Sequence, residues 1–93
     1  MEPLKVLVVD DAPIIVRSLT MLLEQFEFKV VGSASNGREA VAAYKTLRPD
    51  VVTMDITMPE MDGITATREI MAQFPTAKII WSLALKFVAI AEI

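Results

Sequence analysis

Three aspartates carry the chemistry this sequence can do. Asp10 and Asp11 stand together where an apolar run from Leu4 to Val9 stops, and Asp55 stands where a second run, Val51–Met54, stops. Acids at the ends of apolar runs are what parallel strands deliver to one rim of a sheet. Brought together, such carboxylates repel and desolvate one another, which is costly unless a cation neutralises them. Oxygen donors with no imidazole or thiol beside them select a hard ion, Mg2+ (or Mn2+), over zinc or copper. Magnesium keeps several waters and uses few protein ligands, leaving room for phosphate oxygens. The chemistry that follows is phosphoryl transfer.

Composition closes off most alternatives. The 93 residues include no Cys and no His, which removes thiol chemistry, zinc sites, disulfides and histidine acid–base catalysis together. A net charge of −3 with no basic block gives no reason to expect nucleic acid or an anionic membrane as partner. The first five residues lead straight into a strand-like run and do not resemble a signal peptide, so a cytoplasmic location is expected. With 54% hydrophobic and 23% charged residues, the chain can build one small core and carries more apolar surface than it can cover alone.

The elements that must position the acids alternate. Leu4–Val9 reads as a buried strand. Pro13 suits the first turn of a helix, and Ile15, Leu19, Leu22, Leu23 and Phe26 recur at helical spacing as far as Glu27. Phe28–Ser33 is a short strand. Asn36 and Glu39 form a capping box for a helix running through Leu47, and Arg48, Pro49 and Asp50 break it. Val51–Met54 is a strand ending in Asp55. A loop follows, with Asp62 the cap of a helix from Gly63 to about Gln73, and Ala77–Trp81 resumes as strand. This β-α-β-α-β-α-β order with short connections predicts a flavodoxin-like three-layer α/β fold with a mainly parallel sheet. Strands one and three then sit side by side, and their carboxyl ends share one crevice. Gly63 is expected to serve a close approach or a positive φ, Pro59 to fix the loop, and Tyr44 to face the core with its hydroxyl at the rim.

At this point the residues carry a family likeness. The runs Val6-Leu-Val-Val-Asp-Asp11, Asn36-Gly-Arg-Glu-Ala40, Pro49-Asp-Val-Val-Thr-Met-Asp55 and Met58-Pro-Glu-Met-Asp-Gly63 resemble the receiver domains of response regulators in two-component systems, of the chemotaxis type. The resemblance covers roughly residues 4–80. It implies that Asp55 is the phosphoacceptor, that Asp11 ligates Mg2+ directly with Asp10 acting mostly through water, and that the backbone carbonyl of Thr57 is a further ligand. It also implies a histidine kinase or small phosphodonor as partner, a downstream protein target, and self-phosphorylation without turnover catalysis. A strand-end Asp also opens the haloacid-dehalogenase phosphatase motif, but that motif needs a second Asp two residues on, where this chain has Thr57.

After residue 80 the likeness lapses. The family places a Ser or Thr after strand four and a Lys after strand five, both contacting the phosphoryl group. Ser82 lies near the hydroxyl position but one residue early, and Lys86 is the only later cation, four residues on and without a following Pro. A parallel crossover needs about a dozen residues or more, so 83–93 cannot reach a fifth strand of the same sheet in the ordinary way. Ile79–Ile93 holds three polar residues, Ser82, Lys86 and Glu92, yet falls short of the ~20 residues of a membrane span. The expected organisation is therefore a receiver core over 1–82 and an atypical apolar segment over 83–93, truncated or altered, which packs on the core or joins a partner chain in a homodimer. The rival expectation is an interaction or assembly module that keeps the scaffold without a working switch.

Overall fold

A computed structural model of the chain describes residues 2–82. Four strands, β1 (Lys5–Val9), β2 (Lys29–Ala34), β3 (Val51–Met54) and β4 (Ile79–Trp81), alternate with three helices, α1 (Pro13–Gln25), α2 (Gly37–Leu47) and α3 (Gly63–Gln73). The sheet is parallel throughout, in the order β2-β1-β3-β4. β1 is therefore central, which is why its sequence is almost continuously apolar.

The pleat divides the core in two. Leu7 and Val9 of β1 join Val52 and Met54 of β3 beneath Ala40, Val41 and Tyr44 of α2 and Ala66 and Ile70 of α3. Val6 and Val8 face the other way, against Ile15 and Leu19 of α1. Alternate residues of one strand thus feed two helical layers, and the three-layer expectation holds. Tyr44 is buried, its ring 5.1 Å from that of Phe74.

Boundaries differ from the sequence expectation at one instructive place. α1 ends at Gln25, not Glu27. The N–H of Glu27 donates to the Glu24 carbonyl at 3.1 Å and that of Phe28 to the Leu23 carbonyl at 3.0 Å, while Glu27 itself has φ 69°. This is a Schellman termination with Glu standing where glycine is usual, so no glycine marks the stop. Phe26 consequently lies 70% exposed. Among the described residues β4 is an edge strand, with Ile80 and Trp81 each half exposed. The segment 83–93, including Lys86, lies outside the described residues. No helix among the described residues is long and apolar enough to cross a membrane.

Candidate functional site

The three aspartates meet at the carboxyl rim of the sheet. Each follows a strand directly, and the ladder runs one residue beyond the strands to hold them. Asp10 N–H donates to the Ala34 carbonyl at 3.0 Å, and Asp55 N–H to the Val9 carbonyl at 2.9 Å. Since Val9 pairs with Met54, Asp10 and Asp55 are neighbours across the β1–β3 ladder. One carboxylate oxygen from each of Asp10, Asp11 and Asp55 lies within 4.8 Å of the others. Asp10 is fully buried, Asp55 nearly so, and Asp11 is exposed.

The donor set fits a hard divalent cation. Three carboxylates at this spacing would repel by about 1 kcal/mol per pair even at the dielectric of water, and by more where burial lowers it. The chain offers neither imidazole nor thiol that would favour a softer ion.

Local structure explains why the acids hold their places. Ala12, at the N-cap of α1, has no side chain to accept a hydrogen bond, and Pro13 supplies no N–H. Asp10 Oδ1 accepts from the Ala12 N–H at 2.9 Å instead, so one carboxylate both faces the crevice and ties the turn into α1. A groove of about 350 Å³ opens beside the acids, with Arg17, Ser35 and Glu39 on its walls.

The loop after Asp55 is clamped at both ends. The Gly63 N–H donates to the Ile56 carbonyl at 2.8 Å, and the Gly37 N–H to the Met61 carbonyl at 2.8 Å. A Cβ at Gly63 would collide with the Asp55 carbonyl oxygen and lie 2.9 Å from both the Asp55 carbonyl carbon and Ile56 Cα. Neither glycine has positive φ, so close approach of backbones is the reason for Gly63. Gly37 meets the backbone of Met61 in the same way. Sequence reasoning missed that second clamp, since its Gly lay inside a motif read only as a helix start.

Both predicted caps are in place, with one change. Asn36 Oδ1 accepts from the Glu39 N–H at 2.8 Å and Asp62 Oδ1 from the Thr65 N–H at 2.7 Å. Glu39 reaches back past Asn36 to Ser35, accepting from its N–H and its hydroxyl at 3.1 Å each. The Thr65 backbone N–H, helped by the Thr65 hydroxyl, holds the Asp62 carboxyl below its ordinary value of 3.8.

The remaining candidates divide. Thr57 lies exposed in the loop two residues past Asp55. Ser82 is fully buried, and its N–H donates to the Met54 carbonyl at 3.0 Å. Because Met54 pairs with Trp81, this extends the ladder so that Ser82 stands beside Asp55. Its hydroxyl has no hydrogen-bond partner among the described residues. Met58 is buried in the core beneath the loop.

With this geometry in view, comparison with known proteins is specific. The model of the response regulator receiver domain matches residues 6–85. The chain is 55% identical over 76 residues to the chemotaxis protein CheY of Thermotoga maritima, covering 82% of this chain and 63% of that protein. It is 48% identical over 82 residues to CheY of Listeria monocytogenes, covering 88% of this chain and 69% of that one. Its backbone matches CheY in the CheX-CheY-BeF3-Mg2+ complex from Borrelia burgdorferi with a TM-score of 0.83 at 42% identity, over 85% of this chain and 60% of that one. The chain thus spans between three-fifths and seven-tenths of the length of these relatives. On the match to the family model, supported by these relatives, the chain belongs to the response regulator receiver domain family.

Proposed function

We propose that the chain is a phospho-accepting receiver of a phosphorelay, in which Asp55 takes a phosphoryl group from a histidine kinase or a small phosphodonor. The observation that carries this reading is the meeting of Asp10, Asp11 and Asp55 within 4.8 Å at one rim of a parallel sheet. Asp10, Asp11, Asp55 and the backbone carbonyl of Thr57 would hold Mg2+ or Mn2+. When bound, the cation neutralises charge on the phosphoryl oxygens as they approach a carboxylate.

The work of the chain's own residues can be stated separately. A carboxylate oxygen of Asp55 bonds to phosphorus while the donor's P–N or P–O bond breaks, and the leaving group takes the electron pair and a proton from solvent. Asp10 fixes the turn into α1, and Gly63 lets α3 abut the backbone of Asp55, so the nucleophile is held rather than searched for. Ser82, buried beside Asp55 with an uncommitted hydroxyl, is proposed to bond a phosphoryl oxygen. Lys86 is proposed for the same role. The product is an acyl phosphate that water slowly removes, so this is not a turnover enzyme.

The Borrelia relative is described as a complex of CheY with CheX, BeF3 and Mg2+. For this chain we likewise propose a protein target as output, in the cytoplasm, with neither nucleic acid nor membrane as partner. Residues 1–82 form the receiver core in this reading, and the apolar segment 83–93 lies outside the described residues.

Intact-mass analysis after incubation with acetyl phosphate and Mg2+ tests the reading. One phosphoryl adduct is expected, absent without the cation and absent in Asp55→Asn. An adduct that persists in Asp55→Asn refutes the assignment. The half-exposed Ile80 and Trp81 on β4 favour a second reading, an assembly module without a working switch. That reading predicts no adduct, and light scattering that reports a dimer.

A further inference from the structure

We propose that the groove between α2 and α3 is a docking surface for an acidic, amphipathic segment of a partner protein. This surface lies outside the acid site and goes beyond the phosphoacceptor reading. Arg38, Val41 and Lys45 occupy one stripe of α2, at i, i+3 and i+7. The groove they line encloses about 580 Å³, with Met61 contributing to its floor and Glu69 on the α3 side. Val41 is buried and Met61 half-buried, so the floor is apolar, whereas Arg38 and Lys45 stand exposed on the rim.

Charge selects the occupant. Arg38 and Lys45 lie two turns apart, ~10 Å along the helix axis. Neither makes an ion pair among the described residues. The molecule as a whole is acidic, at −3, and its most concentrated negative charge is at the aspartate rim. In the groove two cations, Arg38 and Lys45, outnumber the one carboxylate, Glu69, so an acidic segment is attracted there, where an apolar side chain between its carboxylates can rest on Val41 and Met61. The groove also adjoins the acid site mechanically. Met61 belongs to the loop that leaves Asp55, and its carbonyl is bonded by the first residue of α2, Gly37.

Fluorescence anisotropy tests the proposal on the chain without cation or phosphodonor, so the outcome is independent of whether Asp55 accepts phosphate. The probe is a labelled 12-residue peptide with Leu at helical spacing flanked by Asp and Glu, compared with the same peptide carrying Lys at the acidic positions. Saturable binding of the acidic peptide alone is expected. It should weaken about fivefold or more in the Arg38→Glu, Lys45→Glu double variant, since two exposed pairs become repulsive. It should be unchanged in Lys29→Glu, at the start of β2 and outside the groove's lining. Both substituted α2 positions are exposed, and circular dichroism checks that the fold persists. No saturable binding, equal binding of the Lys peptide, or full affinity in the double variant overturns the proposal.

Discussion

Replacing Gly63 with alanine separates two opposed effects whose balance the structure decides. Gly63 is the first residue of α3, and in an unobstructed helix alanine is favoured over glycine by up to about 1 kcal/mol. Here the added Cβ would meet the Asp55 carbonyl oxygen, with the Asp55 carbonyl carbon and Ile56 Cα both at 2.9 Å. These are backbone atoms, so no side-chain rotation relieves the contact, and either α3 or the strand end must move. Overpacking of this kind costs about 1–3 kcal/mol. The upper half of that range applies where backbone must shift, leaving a net loss of about 1–2 kcal/mol after the helix gain. For a domain of this size that is a fall in Tm of about 4–16 °C. The displacement falls on Asp55 itself, so Mg2+ affinity should drop at least about tenfold, equivalent to about 1.4 kcal/mol. Thermal denaturation by circular dichroism and Mg2+ titration are the assays. Gly32→Ala is the control, because its Cβ would meet only flexible side-chain ends, Leu47 Cδ1 at 2.7 Å and Leu7 Cδ1 at 3.9 Å. If Gly63→Ala melts at or above the wild-type temperature with unchanged metal affinity, the clamp argument is wrong.

Three further outcomes follow from the same geometry. Without metal, Asp11→Asn should raise Tm by about 8–16 °C, because it removes two repulsions, with Asp10 and with Asp55, each worth about 1 kcal/mol at water's dielectric, and Mg2+ should then stabilise the variant far less than wild type; paired melts with chelator and with Mg2+ read both. Asn36→Ala removes the acceptor of the Glu39 N–H and should cost ~1 kcal/mol, measured as a shift in urea midpoint at constant slope. The Asp62 carboxyl titrates below its usual 3.8, so its capping contribution is complete above that pH and fades as pH falls through the lowered value. Acid unfolding of Asp62→Asn should therefore lose this component of the pH dependence below about pH 4, with the two proteins' stability profiles running parallel above it.

Most of this architecture was legible because separate local signals agreed. The apolar runs ending at Asp10 and Asp55 fixed which residues terminate strands, and the Asn36 and Asp62 caps placed two helix starts at the residues observed. Convergence of the acids needed only parallel neighbours, and parallel pairing of β1 with β3 supplies it. What stayed hidden depends on contacts between segments. Nothing in the residue Glu27 announces a left-handed stop, because this residue type ordinarily avoids that conformation, and the packing of the following Phe28 against the Val6, Val8, Ile15 and Leu19 cluster is a contact between segments. The clamp of Gly37 on Met61 joins two motifs that each read as complete by themselves. Asp10 holding the Ala12 N–H is similarly invisible, since spacing marks it only as a candidate ligand and geometry alone shows that it is also a brace.

Calorimetric titration with Mg2+ tests the central claim most directly, with wild type set against Asp11→Asn, Asp55→Asn and, as control, Glu24→Gln on the exposed surface of α1. One saturable site is expected, weakened by each neutralised aspartate and untouched by the control. Absence of saturable binding, or wild-type affinity in Asp11→Asn or in Asp55→Asn, would contradict the claim that these acids form one cation-dependent phosphoacceptor site.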